Sequence, residues 1–129
     1  MIVGFTGTLA GMSASQLAQL RVVLTWLRAA LTRNGNGPEL HHGDARGADR
    51  QCAHVAKQLG GFYVTAWPPQ SGDTSPLVRN RRDIVAPADV LIAAPKTDIE
   101  ILRSGTWATV RAARRKGIPV IVLSRGANV

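Results

Sequence analysis

The stretch HHGDARGAD, residues 41–49, gathers two histidines, two acids and an arginine around Gly43 and Gly47. Adjacent strand residues face opposite sides of a sheet, so His41 and His42 do not easily share a metal ion. One is expected to pack under a helix; for the other a ligand contact at the strand end is the alternative, and a structural role leads for both. Asp44 and Asp49 can accept hydrogen bonds from ribose hydroxyls, and Asp49 equally suits a helix start through the helix dipole. Between them, Gly43 through Gly47, with Arg46, form a glycine-rich loop whose backbone can approach an anion closely.

Two more stretches share that character: Thr6-Gly7-Thr8 through Gly11, and Ser104-Gly105-Thr106. A helix N-terminus offers unpaired N–H groups and partial positive charge, so a loop of this kind leading into a helix makes a phosphate or carboxylate cradle. Serine, threonine, aspartate and glycine are also ordinary helix-start residues, which leaves a structural role open at each. The first loop lacks the GxGxxG spacing, which disfavours standard NAD binding. Arg79, Arg81 and Arg82 in VRNRRD carry guanidinium forks suited to phosphate oxygens, and Asn80 lies among them. Arg111, Arg114, Arg115 and Lys116 fall near the end of the last predicted helix, where they complement its negative end on the rim opposite the loops.

The elements that must position these residues alternate regularly. Residues 2–6, IVGFT, read as a buried strand, followed by the GTLAGM loop. Ser13 and Gln16 have capping-box spacing at the start of a helix whose Leu17, Leu20, Leu24, Leu27 and Leu31 form an apolar stripe. PELHH reads as a strand, ADRQCAHVAKQLG as a helix closed by glycine, and FYVTAW as a strand. Residues 67–78 read as an irregular crossing loop, followed by a short helix from Asn80 to Ala86. ADVLIAAP, SGTWATVRAARRKG and IPVIVLS complete the pattern as strand, helix and strand. Apolar strands alternating with helices imply an α/β, Rossmann-like three-layer sandwich, with a mainly parallel sheet of about five strands in the order 3-2-1-4-5. The right-handed crossover rule then collects the strand-to-helix loops on one rim, where such sheets bind ligands.

The totals agree with a single domain over residues 1–129, since 129 residues at 45% hydrophobic content fill one core. Cys52 is the one cysteine and has no metal-ligand spacing around it, so neither a disulfide framework nor a metal site is expected, and a reducing, cytoplasmic setting fits. Gln19, Arg21 and Arg28 interrupt the longest apolar-rich segment, residues 17–31, so no membrane span is expected. A formal charge of +8 attracts phosphate-bearing partners. Trp26 and the Val22/Val23 flank widen the first helix's apolar face, where a homo-oligomer contact is expected.

Together, HHGDARGADRQCAHVAKQLG, VRNRRDIV, ADVLIAAP and RSGTWATVRAARRKGIPVIVL resemble the Smf/DprA and LOG superfamily (SLOG) of Rossmann-like proteins. The segment order looks most like the central domain of DNA-processing protein A, whose blocks have the form SGxARGxDxxAH, RNR and SGSLxTAxxA. Gly43, Arg46, Gly47, Asp49 and His54 match the first block. Arg79, Asn80 and Arg81 match the second, and Ser104, Gly105, Thr106 and Thr109 the third. The resemblance covers most of residues 2–123 and implies a rim that binds nucleotides or single-stranded DNA phosphates, and frequent oligomers. It implies no single activity. Lonely-guy enzymes, which release a base from nucleoside monophosphates, carry PGGxGTxxE with a participating glutamate, and here Thr109 stands at that place.

Three functions follow as expectations. A non-catalytic module for a nucleotide or nucleotide-derived small molecule leads, with Gly7, Thr8, Gly43, Asp44, Arg46, Gly47, Asp49, Arg79, Asn80, Arg81, Arg82, Ser104, Gly105 and Thr106 at the site and no cofactor. A single-stranded DNA-binding protein is second, weakened because Phe5, Phe62, Tyr63 and the three tryptophans are not spaced as a stacking platform. An N-glycosidic hydrolase is third, and would need Asp44, Asp49 or another rim acid for departure of the base.

Overall fold

The computed structural model describes residues 1–126. Five strands, β1 (Ile2–Gly7), β2 (Glu39–His42), β3 (Tyr63–Ala66), β4 (Val90–Ala94) and β5 (Val120–Val122), form one sheet in the order β3-β2-β1-β4-β5. Every pairing is parallel. The expected α/β architecture and strand order are therefore present, and the loops after β1, β2 and β4 lie at one edge.

Helices α1 (Ala14–Leu31) and α2 (Ala48–Leu59) cover one face. Leu20, Leu24 and Leu27 of α1, with Ala48, Cys52, Val55 and Ala56 of α2, bury against Val3, Phe5, Leu40, Ile92 and Ala94. Ser13 starts α1 as the sequence implies: its hydroxyl accepts from the Gln16 N–H at 3.1 Å while the Gln16 side chain accepts from the Ser13 N–H. The opposite face is covered by α4 (Gly105–Arg115) and by the segment before β4, which pack Ile84, Val85, Ala112 and Ala113 on Leu91. Leu91 and Ala93 serve that second face, Ile92 and Ala94 the first, as strand alternation requires.

One element differs from expectation. The helix expected at Asn80–Ala86 begins earlier, as α3 (Pro76–Arg79), and continues as a π-helical turn over Asn80–Val85. Ser75 caps it by accepting from the Val78 N–H, and Pro76 occupies the first helical position, where its missing N–H has no consequence. The residues 67–78 expected as loop therefore end in helix. In the widened turn the Ala86 N–H reaches back five residues to the Arg81 carbonyl at 3.0 Å.

On α1, Val22 and Trp26 are 70% and 64% exposed, while Val23 packs partly against the core. Among the described residues no helix is long and apolar enough to cross a membrane.

Gly7 sets the spacing at the site edge. A Cβ there would collide with the Cβ of Ala48, itself fully buried in the first turn of α2. Both atoms are fixed by backbone, so neither can rotate away. Gly7→Ala should lower stability by about 1–3 kcal/mol, the scale of an overpacked core; a urea midpoint equal to that of the unaltered chain would contradict this packing.

Candidate functional site

The first two loops are built into each other. Thr8 donates its N–H to the Ala94 carbonyl at 3.0 Å, its hydroxyl accepts from the Ala10 N–H, and its carbonyl accepts from the N–H groups of Gly11 and Ala48. Gly47, at φ +80°, lies so close to the Thr8 and Leu9 carbonyls that any side chain would strike them. Gln51 of α2 completes the joint by accepting from the Met12 N–H at 2.7 Å. Thr8 and Gly47 thus hold the loops together.

Asp49 fills the N-terminal end of α2 from within. It is 4% exposed, and its Oδ2 accepts from the N–H groups of Gly43 at 3.1 Å and Ala45 at 3.2 Å. Burial pushes its carboxyl up to about 6, against the lowering effects of those bonds and of the Arg79 charge. The Asp44 side chain, by contrast, is partly open to solvent, with Arg50 at 3.8 Å, and its backbone adopts φ +55°. Arg46 is exposed and has no ion-pair partner among the described residues.

The histidines face opposite sides of the sheet, but both are buried. His41 accepts at Nδ1 from the Trp67 indole at 3.2 Å and meets Glu39 through Nε2. His42 accepts from the Asp44 N–H at 2.9 Å, and burial lowers its pKa below 6.5. Both are thus placed as the leading structural reading expects, at 5% and 3% exposure. No group of three or more potential metal ligands occurs among the described residues.

Beyond β2, the three arginines of VRNRRD part company. Arg79 is 4% exposed, and its Nη1 donates to the carbonyls of Gly43 at 2.6 Å and Trp67 at 2.8 Å. Its Nε donates to Asn80 Oδ1; the Asn80 amide donates to Thr109 Oγ1 at 2.9 Å, and that hydroxyl donates to the Gly105 carbonyl. A continuous chain of bonds therefore connects the end of β2 to the first turn of α4. Gly43 makes it possible, since a Cβ would overlap the Arg79 guanidinium. No carboxylate lies within 4.0 Å of Arg79, and its Nη2 has no acceptor among the described residues.

Arg82 is placed differently. It donates to both Asp73 and Asp83, with bonds of 2.7–3.1 Å, so two carboxylates already occupy its fork. These bonds hold the Asp73 carboxyl below its usual range. Arg81 leaves the rim altogether and shares a groove with Arg115 and Lys116. This corrects the expected division of the cations, because Arg81 belongs with the end of α4. Arg111 departs from it too, binding Glu100 at 2.9 Å and the Leu102 carbonyl in the loop before α4.

At α4, Ser104 accepts the Trp107 N–H on its hydroxyl and the Ala108 N–H on its carbonyl. The N–H groups of Gly105 and Thr106 and the Thr106 hydroxyl have no protein acceptor among the described residues, although Thr106 is only 7% exposed. The rim thus brings together Gly43, Arg79, Asn80, Gly105 and Thr106 through one network and one helix start. Trp67 and Thr109 complete it; sequence reasoning put Trp67 at the junction of a strand and an irregular loop, and Thr109 among the block matches and in place of a catalytic acid, but assigned neither to the site. No family model, curated protein or solved structure matches the chain.

The buried carboxyl has a signature in pH. Asp49 titrates at about 6 in the folded chain against an ordinary 3.8, so the proton it retains favours folding below pH 4 and that contribution is lost as pH rises toward 6. His42 acts with the opposite sign, its folded form resisting protonation below 6.5. The difference between Asp49→Asn and the unaltered chain isolates the first effect. Across pH 4–6, Asp49→Asn should gain relative stability by about 2 kcal/mol; parallel urea-stability curves for the two proteins would contradict it.

Proposed function

We propose that this chain is a non-catalytic binding module of the SLOG type, holding a nucleotide or nucleotide-derived small molecule at the rim. The observation that carries the reading is Arg79, a 4% exposed cation with no carboxylate within 4.0 Å among the described residues and one nitrogen left without a protein acceptor. Removing a charge from water is unfavourable; neutral acceptors and the more distant Asp49 compensate it in part, and an anionic ligand group on the free nitrogen would add a direct ion pair. The open N–H groups of Gly105 and Thr106, with the Thr106 hydroxyl, are likewise suited to phosphate oxygens. Asp44, partly exposed at the neighbouring loop, is suited to a ribose hydroxyl.

A binding rather than hydrolytic role is supported by Thr109, whose hydroxyl is held between Asn80 and Gly105 where the lonely-guy pattern has glutamate. Of the remaining acids, Asp49 is committed to two backbone N–H groups. On this reading Gly7, Thr8, Gly47 and Asp49 shape the rim, and Arg79 both binds and positions.

Thr106→Val tests the site without disturbing the Arg79 network. Nucleoside monophosphates should raise the melting temperature of the unaltered chain, and the substitution should weaken that binding by about 1.5–3 kcal/mol, the scale of a hydrogen bond to a charged group. Absence of any shift, together with single-stranded DNA binding whose affinity falls steeply with salt, would overturn the small-ligand reading in favour of nucleic acid. Incubation with nucleoside monophosphates should release no free base; release abolished by Asp44→Asn would establish an enzyme instead.

A further inference from the structure

Arg81, separated from the other arginines of its run, lines a groove of about 320 Å³ with Val85, Ala112, Arg115 and Lys116. Because α4 begins at the rim and runs away from it, Ala112–Lys116 place this groove at the far end of the helix from Gly105. All three cations are exposed, and none has a carboxylate within 4.0 Å among the described residues. Nearby acids are already engaged: Glu100 by Arg111 and Arg114, Asp73 and Asp83 by Arg82. Complementing the negative end of α4 accounts for Arg115 and Lys116. It does not account for Arg81, which comes from another element and faces the same space.

We infer that this groove is a second anion site, distinct from the rim, for a short chain of phosphate groups such as a pyrophosphate or triphosphate unit. Three cations brought to one small space repel one another, and a multiply charged anion reverses that repulsion at each of them. The apolar walls supplied by buried Val85 and Ala112 strengthen the field by excluding water from one side. Its volume lies at the lower end of the range for small-ligand pockets. No lining residue is aromatic, so the bases of a nucleic-acid strand would find nothing to stack on. The chemistry recognised is the phosphate chain itself.

Titration calorimetry with inorganic tripolyphosphate at low salt tests the site. Binding should be saturable, and Arg81→Ala and Lys116→Ala should each weaken it about tenfold, near the effect of losing one charge-assisted hydrogen bond. Lys57→Ala removes the same charge from an exposed position on α2, outside the groove, and should change the affinity less than twofold. Tripolyphosphate bound at the rim would add a second saturable phase, which Thr106→Val should weaken while the groove phase and its dependence on Arg81 and Lys116 persist. The inference is overturned by absence of saturable binding, by equal losses at Lys57 and Arg81, or by loss of all saturable binding in Thr106→Val, which would put the anion at the rim alone. It is overturned too if a single-stranded oligonucleotide displaces tripolyphosphate and the groove substitutions weaken the oligonucleotide more. Urea midpoints of all four variants, each measured alongside, separate lost binding from lost folding.

Discussion

Burying the Arg79 guanidinium takes a cation out of water, and much of the rim is arranged to compensate it. Two carbonyl dipoles, from Gly43 and Trp67, and the Asn80 side-chain oxygen accept its protons. Those acceptors come from the ends of two strands and from the helical segment that covers them, so satisfying one side chain fixes the relative positions of three parts of the chain. The field of the buried Asp49 carboxylate also acts on this cation, and the cation in turn favours ionisation of Asp49. A lysine could not replace it, since a single ammonium lacks the planar fork that reaches both carbonyls and the amide from one position.

Loops of similar composition at the starts of α2 and α4 meet different fates. The first turn of α2 contains Asp49, whose carboxylate folds back onto the preceding loop, and the neighbouring loop caps the Ala48 N–H. That helix start is occupied by the protein's own oxygens. The first turn of α4 contains no acid, and Ser104 satisfies only its own two donors. An external anion therefore competes with nothing at α4, whereas at α2 it would have to displace bonds already made.

The alternation of apolar strands with helices made the sheet legible, because burial on both faces leaves an unmistakable residue pattern and crossover handedness then restricts the strand order. The capping box at Ser13 and Gln16 was equally local. What the sequence could not convey was the direction of each arginine. Successive helical residues diverge by about 100°, so Arg79 and Arg81, two apart in VRNRRD, project to nearly opposite sides. Arg82 looked free because its partner Asp73 lies in an irregular loop, where no periodicity announces a contact. Nor does any composition rule foretell that Trp67 offers its carbonyl to Arg79 while its indole binds His41.

The π-helical turn at Asn80–Val85 gives this segment a property concerned with length rather than charge. Its reach of five residues, seen between Ala86 and Arg81, accommodates one residue more than a regular α-helical turn. A one-residue deletion inside it would let the backbone relax to ordinary α-helix, leaving Ile84 and Val85 seated on the sheet. Everything upstream would then keep its phase about the helix axis, whereas the same deletion in a regular α-helix would turn it by roughly 100° and carry the guanidinium of residue 79 away from the end of β2. The surplus residue is absorbed within one turn, so the segment tolerates a change of length there while its apolar end follows the sheet and its polar end the rim.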